Sequence, residues 1–399
     1  MKRYEILDGF RGYFLVFMTL NHIIFQEGNP ISWANHNRLG YVEDAQGFIF
    51  ISGFIVGIYY TSMHIKGRRT EMRDRIQGRA RELYYYSLGI LVAIALLVAV
   101  LPAAREAWEP LLGRAFADGP SRAAAVLLLY QPSFMDILPQ YILYLLVSPV
   151  LIRLTVEGRW TTVAAGSLGL WAAVQFGSHL PLVALGDAAL GSLSPELALR
   201  GFFSPLAWQL VFVAGLLAGA GIATGRLDTH RWLGPQRTDL AQVALAIVAF
   251  FAVWRIGFEL GIMRDDMAEQ FHRLHDRTLF SPVFLVNFAA TGYLVAWLLN
   301  GGRQAADPAV RAIGEALARL FTLPFLRFIG SHSLQVYAYH VILVYLVAYA
   351  DARWGAFGEA EKVAISVAAV ASLWIPAALH ARGPARPKLR SAGQTGAMR

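Results

Sequence analysis

Arg11 and His22 stand out in the first apolar stretch, Asp8-Gly-Phe-Arg-Gly-Tyr-Phe-Leu-Val-Phe-Met-Thr-Leu-Asn-His22. A guanidinium holds anions, and an imidazole exchanges a proton near neutral pH. The two lie eleven residues apart, which in an α-helix is about 16 Å of rise, with both side chains within roughly 20° of one stripe. A charged Arg at mid-bilayer costs on the order of 2.5–3.5 kcal/mol, so an ionisable group at such depth reads first as functional. A plainer account also exists. Arg11 snorkels to the headgroups and Asp8, one turn earlier, pairs with it. For His22, packing is the weaker account, because its Phe, Leu, Met and Ile neighbours offer no hydrogen-bond partner.

Those residues need a membrane scaffold, and the composition supplies one. Of 399 residues, 56% are hydrophobic and 16% are charged, with a mean hydropathy of +0.46. Apolar runs recur at 9–27, 46–65, 83–102, 134–152, 161–180, 204–224, 239–260, 281–299, 328–350 and 361–380. Each is long enough to cross a bilayer as a helix. The expected fold is therefore an all-α polytopic membrane protein of about ten spans. Pro132 and Pro139 interrupt the fourth run, and short interfacial pieces are expected near 123–130 or 181–190. The first run holds Asp8, Arg11, Asn21 and His22 and no small-residue cleavage site, so it reads as a retained span.

The net charge of +8 reads as topology and not as a nucleic-acid partner. With the N-terminus inside, the inner segments hold more than twice as many Lys and Arg as the outer ones. Both termini are then cytoplasmic. A transmembrane domain is expected over 1–380 and a disordered basic cytoplasmic tail over 381–399. The chain has no cysteine, which excludes disulfides, thiolate metal sites and an acyl-cysteine intermediate. The ten histidines show no zinc-site spacing, so no metal is expected.

Three motifs then converge. Arg-x10-His opened by Asp-Gly-Phe-Arg-Gly, the stretch Gly47-Phe-Ile-Phe-Ile-Ser-Gly-Phe54, and the stretch Gly330-Ser-His-Ser-Leu-Gln-Val-Tyr-Ala-Tyr-His340 resemble the signatures of the acyltransferase-3 superfamily. With Phe134-Met-Asp-Ile-Leu-Pro-Gln-Tyr and Ser331-His-Ser-Leu-Gln-Val-Tyr, the likeness is greatest to its OpgC-type branch, succinyltransferases of osmoregulated periplasmic glucans. It covers the whole chain and departs around Asp276-Arg-Thr-Leu-Phe-Ser-Pro, where a more polar stretch is expected.

The resemblance implies a bacterial inner-membrane O-acyltransferase. It would move succinyl from cytoplasmic succinyl-CoA, or another acyl from its CoA, to periplasmic glucan hydroxyls. Acyl-CoA is a co-substrate, and no cofactor is permanently bound. Glucan and membrane lipids are the other partners, and a homodimer is compatible with the sequence.

His22 would be the general base, with Asp44 or Glu43 orienting it; those carboxylates read equally as a solvated cap. Arg11, Arg68, Arg69 and Arg79 would meet the anionic CoA, although a basic inner loop over 66–82 is what topology demands anyway. Ser52 and Gly53 would leave room for the pantetheine arm, or simply allow close helix packing. His340, with Tyr337 and Tyr339 near it, would serve an oxyanion, a tunnel or structure. Asp136 with Gln140, and Arg255 with Glu259, form i,i+4 pairs that would hold sugar hydroxyls or a succinyl carboxylate, or act as glue. Trp108, Trp160 and Trp232 read as interfacial belt residues, and Trp33 and Trp254 as sugar-stacking surfaces as well. The alternatives are acetyl transfer to another envelope glycan, a transient acyl-histidine, and a proton-coupled secondary transporter. The last is disfavoured by the lack of an internal repeat.

Overall fold

The structure, a computed structural model, describes residues 5–31, 35–262, 274–355 and 357–383. Among them the protein is all helical. Its one extended pairing is an isolated bridge between Tyr130 and Arg200. The main helices are α1 (Glu5–His22), α2 (Asp44–Ile65), α3 (Arg69–Val100), α4 (Ile137–Val156), α5 (Trp160–Gln175), α6 (Leu180–Gly191), α7 (Pro205–Ala223) and α8 (Thr238–Glu259). They continue with α9 (Pro282–Leu299), α10 (Pro308–Phe321), α11 (Pro324–Ser331), α12 (Ser333–Trp354), α13 (Glu359–Ser372) and α14 (Trp374–Arg382).

Among the described residues eight helical stretches are long and apolar enough to cross a membrane, and α5 with α6, bent by 69°, makes up to nine. The eighteen-residue α1 is not among them, because Glu5, Asp8 and Arg11 dilute it. The ten expected runs thus all have a helical counterpart. The fifth is bent, and α6 is a separate piece where a short interfacial segment was expected. The ninth is broken at His332 into α11 and α12.

The segment 66–82 is not a loop. Most of it is the first half of α3, whose 32 residues extend about 48 Å, well beyond a hydrocarbon core of about 30 Å. Its basic half must therefore project out of the bilayer. The tail expected from 381 begins inside α14, and residues 384–399 lie outside the described part.

Starts of the helices are written in turn chemistry. Pro occupies the first turn of α7, α9, α10 and α11, where its missing N–H costs nothing. Before α2, Glu43 and Gln46 form a reciprocal capping box, with the Glu43 amide donating to Gln46 Oε1 at 3.1 Å.

Two glycine seams set the interior. Gly53 and Gly57 of α2 face the backbone of α7 at Phe212 and Leu216, and Gly215 and Gly219 face Phe50 and Phe54 in return. Gly9 and Gly12 of α1 face Phe321 and Leu326, while Gly330 faces Asp8. At each of these positions a Cβ would fall on the opposing backbone, so only glycine permits the approach. The glycines of the Asp-Gly-Phe-Arg-Gly motif thus fix α1 against the end of α10 and against α11. By contrast, α8 exposes Val243, Leu245, Phe250 and Val253, as a lipid-facing helix does. Trp108 is a correction: it is fully buried and donates to the Tyr345 carbonyl at 2.7 Å, so it is no belt residue.

Candidate active site

α1 ends at His22, and α12 brings His340 to meet it. His22 Nδ1 lies 3.2 Å from His340 Nε2. His340 Nδ1 lies 2.6 Å from the Tyr337 carbonyl oxygen. A carbonyl only accepts, so His340 Nδ1 carries the proton, and the Nε2 of a neutral His340 is then an acceptor. His22 Nδ1–H must donate to it. The lone pair of a neutral His22 is therefore on its own Nε2, which bonds to no described residue. The ring is only partly buried, so that nitrogen stands at an approachable position.

Phe134 closes the other side. Its ring stacks on His22 with centroids 4.2 Å apart and planes at 29°. Its φ of +70° is rare for a bulky residue, and its carbonyl accepts the Tyr337 hydroxyl at 2.7 Å. Tyr337 thus grips the site twice, holding His340 by its carbonyl and Phe134 by its hydroxyl. Strained backbone held this way is a mark of pre-organisation.

Asp44 is not the partner of His22. It accepts from Asn21 Nδ2 at 2.7 Å and lies 3.6 Å from His36 Nε2, and His36 Nδ1 is 3.3 Å from the Tyr13 hydroxyl. Helix geometry explains the difference: Asn21 and His22 point about 100° apart, so Asp44 and His340 reach different members of the pair. Burial pushes His36 down to about 4. It is neutral at neutral pH, and its approach to Asp44 is no ion pair.

Beside Asn21 opens a polar pocket of about 280 Å³ whose wall includes Arg38, Tyr41, Glu43, Arg255 and Arg277. Glu259 Oε1 takes Arg255 at 3.0 Å and Arg38 at 3.1 Å, and the Arg255 guanidinium lies 5.4 Å from the centre of the Tyr41 ring. Arg277 stacks 4.6 Å from the centre of Phe202 and acts electrostatically on His22.

Other expected contributors sit elsewhere. Asp136 and Gln140 hold one strip of backbone: Asp136 accepts the Phe203 amide at 3.3 Å, and Gln140 donates to the Phe203 carbonyl at 3.0 Å. They act there as glue. His340, with both nitrogens engaged and no exposure, is a positioning residue in this arrangement and offers no donor to an oxyanion. Ser52 is buried beside the α2–α7 seam, where close packing uses its neighbour Gly53.

At the opposite end, Arg11 pairs with Asp8 at 3.3 Å, Arg68 with Glu71 at 2.6 Å, and Arg79 with Glu82 at 2.9 Å. Arg69 is exposed with no ion pair among the described residues. Of the three pairs only Arg68–Glu71 is exposed, the other two being part-buried; an exposed pair is worth about 0.2–1 kcal/mol and yields readily to a phosphate. Trp33 lies outside the described residues.

The family described as OpgC protein matches residues 3–384, nearly the whole chain and every residue named above. The chain belongs to the OpgC protein family. Membership supports a glucan acyltransferase role in the broad sense and agrees with a multi-pass membrane protein. No curated protein and no solved structure matches the chain.

In this OpgC family member, sequence reasoning passed over Arg38, His36 and Arg277 as site residues. The first two lie in the connection before α2, where no helical period marks a face. Arg277 sits in the very stretch, Asp276-Arg-Thr, that departs from the expected pattern, and that departure was the available signal. The His22–His340 contact spans 318 positions, and only the third motif hinted at it.

Proposed function

We propose that the protein moves a succinyl group from cytoplasmic succinyl-CoA to hydroxyls of osmoregulated periplasmic glucans, in the bacterial inner membrane, with both termini cytoplasmic. One observation carries this reading: His22 has its Nδ1 proton committed to His340 and its Nε2 lone pair uncommitted. That is the state a general base needs. The acceptor hydroxyl oxygen attacks the thioester carbonyl carbon while Nε2 takes its proton. The carbon–sulfur bond then breaks, and the CoA sulfur leaves and receives the proton back from His22. The ester forms and free CoA departs, so the step balances without a covalent enzyme intermediate.

The division of the chain supports two compartments. Arg11 and the projecting basic half of α3, with Arg68, Arg69 and Arg79, are suited to the CoA phosphates on one side. The polar pocket beside Asn21 serves the other. Asp44 belongs to this machinery through Asn21, which it anchors next to the base. No permanently bound cofactor and no nucleic acid enters the scheme.

The test uses purified full-length protein, a panel of isotopically labelled acyl-CoAs and mass spectrometry of the glucan. Succinyl incorporation above all other acyl groups is expected. Glucan that stays unmodified by every donor would overturn the reading.

A further inference from the structure

We propose that a cavity on the outward face of α3 binds the phosphodiester headgroup of a membrane phospholipid. The inference goes beyond the acyltransferase reading and does not rest on it. Gly78, Arg81, Glu82, Tyr85 and Tyr86 line a cavity of about 370 Å³. The sequence of α3 fixes its depth. No residue from 83 to 104 is charged, whereas Arg79, Arg81 and Glu82 come just before. The apolar stretch 83–100 rises about 27 Å as a helix and fills a hydrocarbon core of about 30 Å. The cavity therefore straddles the level where acyl chains give way to headgroups, and Tyr84, Tyr85 and Tyr86 stand there as interfacial aromatics do. Its direction follows from helical spacing. Ile76 and Leu83 pack inward, each 1% exposed, and Tyr85, roughly opposite both, is 66% exposed. Val92 and Leu96 continue the stripe of Tyr85 and are exposed as well, so a lipid chain has an apolar track leading from the cavity.

Two polar groups at the cavity are uncommitted. The Gln335 side-chain amide of α12 donates to the Tyr86 hydroxyl oxygen at 2.8 Å. The Tyr86 proton then points elsewhere and finds no acceptor among the described residues. Arg81 is exposed, and its guanidinium makes no hydrogen bond or ion pair among the described residues. Glu82, the anion in the wall, takes Arg79 at 2.9 Å. Outside the described part only 263–273 contains Asp or Glu, and Glu259 and His275, on either side of it, meet Arg38 and Tyr41 near the His22 end. A phosphodiester at headgroup depth offers oxygens both to the guanidinium fork and to the phenol proton. Arg81 and Arg79 point roughly 160° apart, so the cavity is not the face that Arg79 offers to CoA.

The experiment titrates delipidated full-length protein in detergent and reads bound lipid by native mass spectrometry. The probes are dioleoyl phosphatidylglycerol and dioleoylglycerol, which has the same chains and no phosphate. Phosphatidylglycerol should bind about tenfold or more tightly than dioleoylglycerol. That preference should shrink in Arg81→Gln and in Tyr86→Phe, which removes the proton donor without changing charge. Gly78→Leu should abolish it by filling the cavity; a Cβ at Gly78 meets no atom within 4 Å, so the helix accepts the substitution. Equal binding of the two lipids by the wild type, or an unchanged preference in any of the folded variants, would overturn the proposal. Should Arg81→Gln or Tyr86→Phe not fold, Gly78→Leu decides. Displacement of phosphatidylglycerol by equimolar coenzyme A or inorganic phosphate would also overturn it, because the cavity would then be a general phosphate site. A lipid preference in protein without transfer activity would uphold the headgroup site and sink only the acyltransferase reading.

Discussion

His340→Leu is the most informative perturbation of the catalytic geometry. It deletes the acceptor of the 3.2 Å bond from His22 Nδ1–H and leaves apolar carbon in its place. A hydrogen bond contributes about 0.5–1.5 kcal/mol net, and an unmade buried donor costs about 1–3 kcal/mol. His22 escapes that cost by moving its proton to Nε2 or by turning, and in either case the lone pair no longer faces the acceptor. A penalty of about 1–3 kcal/mol on the productive form corresponds to roughly 5- to 150-fold in rate. The assay is acyl transfer to glucan by purified variant, with thermal unfolding as a check on folding. kcat should fall while KM for acyl-CoA holds, since His340 touches neither substrate. His340→Gln, which keeps an oxygen acceptor and an N–H donor, should recover part of the loss. A folded His340→Leu protein with wild-type kcat would refute the relay from Tyr337 through His340 to His22.

Three further outcomes follow from the geometry. Arg11→Ala should weaken acyl-CoA binding more than glucan binding in equilibrium titrations, and unchanged CoA affinity would reassign Arg11 to its pair with Asp8. Because burial holds His36 at about 4 against an ordinary 6.5, it is neutral in both folded and unfolded chains above about pH 6.5. Between about pH 6.5 and 4 the unfolded chain takes the proton first. Stability should therefore drop by up to about 3 kcal/mol across that window and level off below it, and His36→Gln should flatten that part of a melting-temperature profile. Gly53→Ala puts a methyl on the Phe212 carbonyl and should cost about 1–3 kcal/mol, read as a lower unfolding temperature in detergent.

Much of the scaffold was legible because a bilayer leaves few choices. Each apolar run had to become a helix, and all ten have a helical counterpart among the described residues. What failed was local. The basic stretch at 66–82 has no apolar period, yet its Arg–Glu pairs at helical spacing extend α3 into it. Those pairs were the missed signal. The break at His332 was invisible to hydropathy, since both sides are apolar.

The placement of Arg11 and His22 on one helix was legible in the sequence, and the Arg255–Glu259 pair from its i,i+4 separation. The partner of His22 was not. Depth along a helix can be read from sequence, but its rotation against a second helix depends on packing, here on the glycines at 9, 12 and 330. Asp44 looked suitable by depth and was turned to Asn21 by that rotation. Arg38 and His36 escaped notice for a different reason: the 3₁₀ helix that holds them, His36–Leu39, is a single turn and too short to show a periodic face.

The whole account depends on Nε2 of His22 taking the acceptor's proton. The most direct measurement is succinyl incorporation into glucan, by mass spectrometry, for purified His22→Ala shown to be folded and to bind succinyl-CoA like wild type. Loss of general-base catalysis predicts a fall of about 10²- to 10⁴-fold in transfer rate. Incorporation at the wild-type rate would contradict the account.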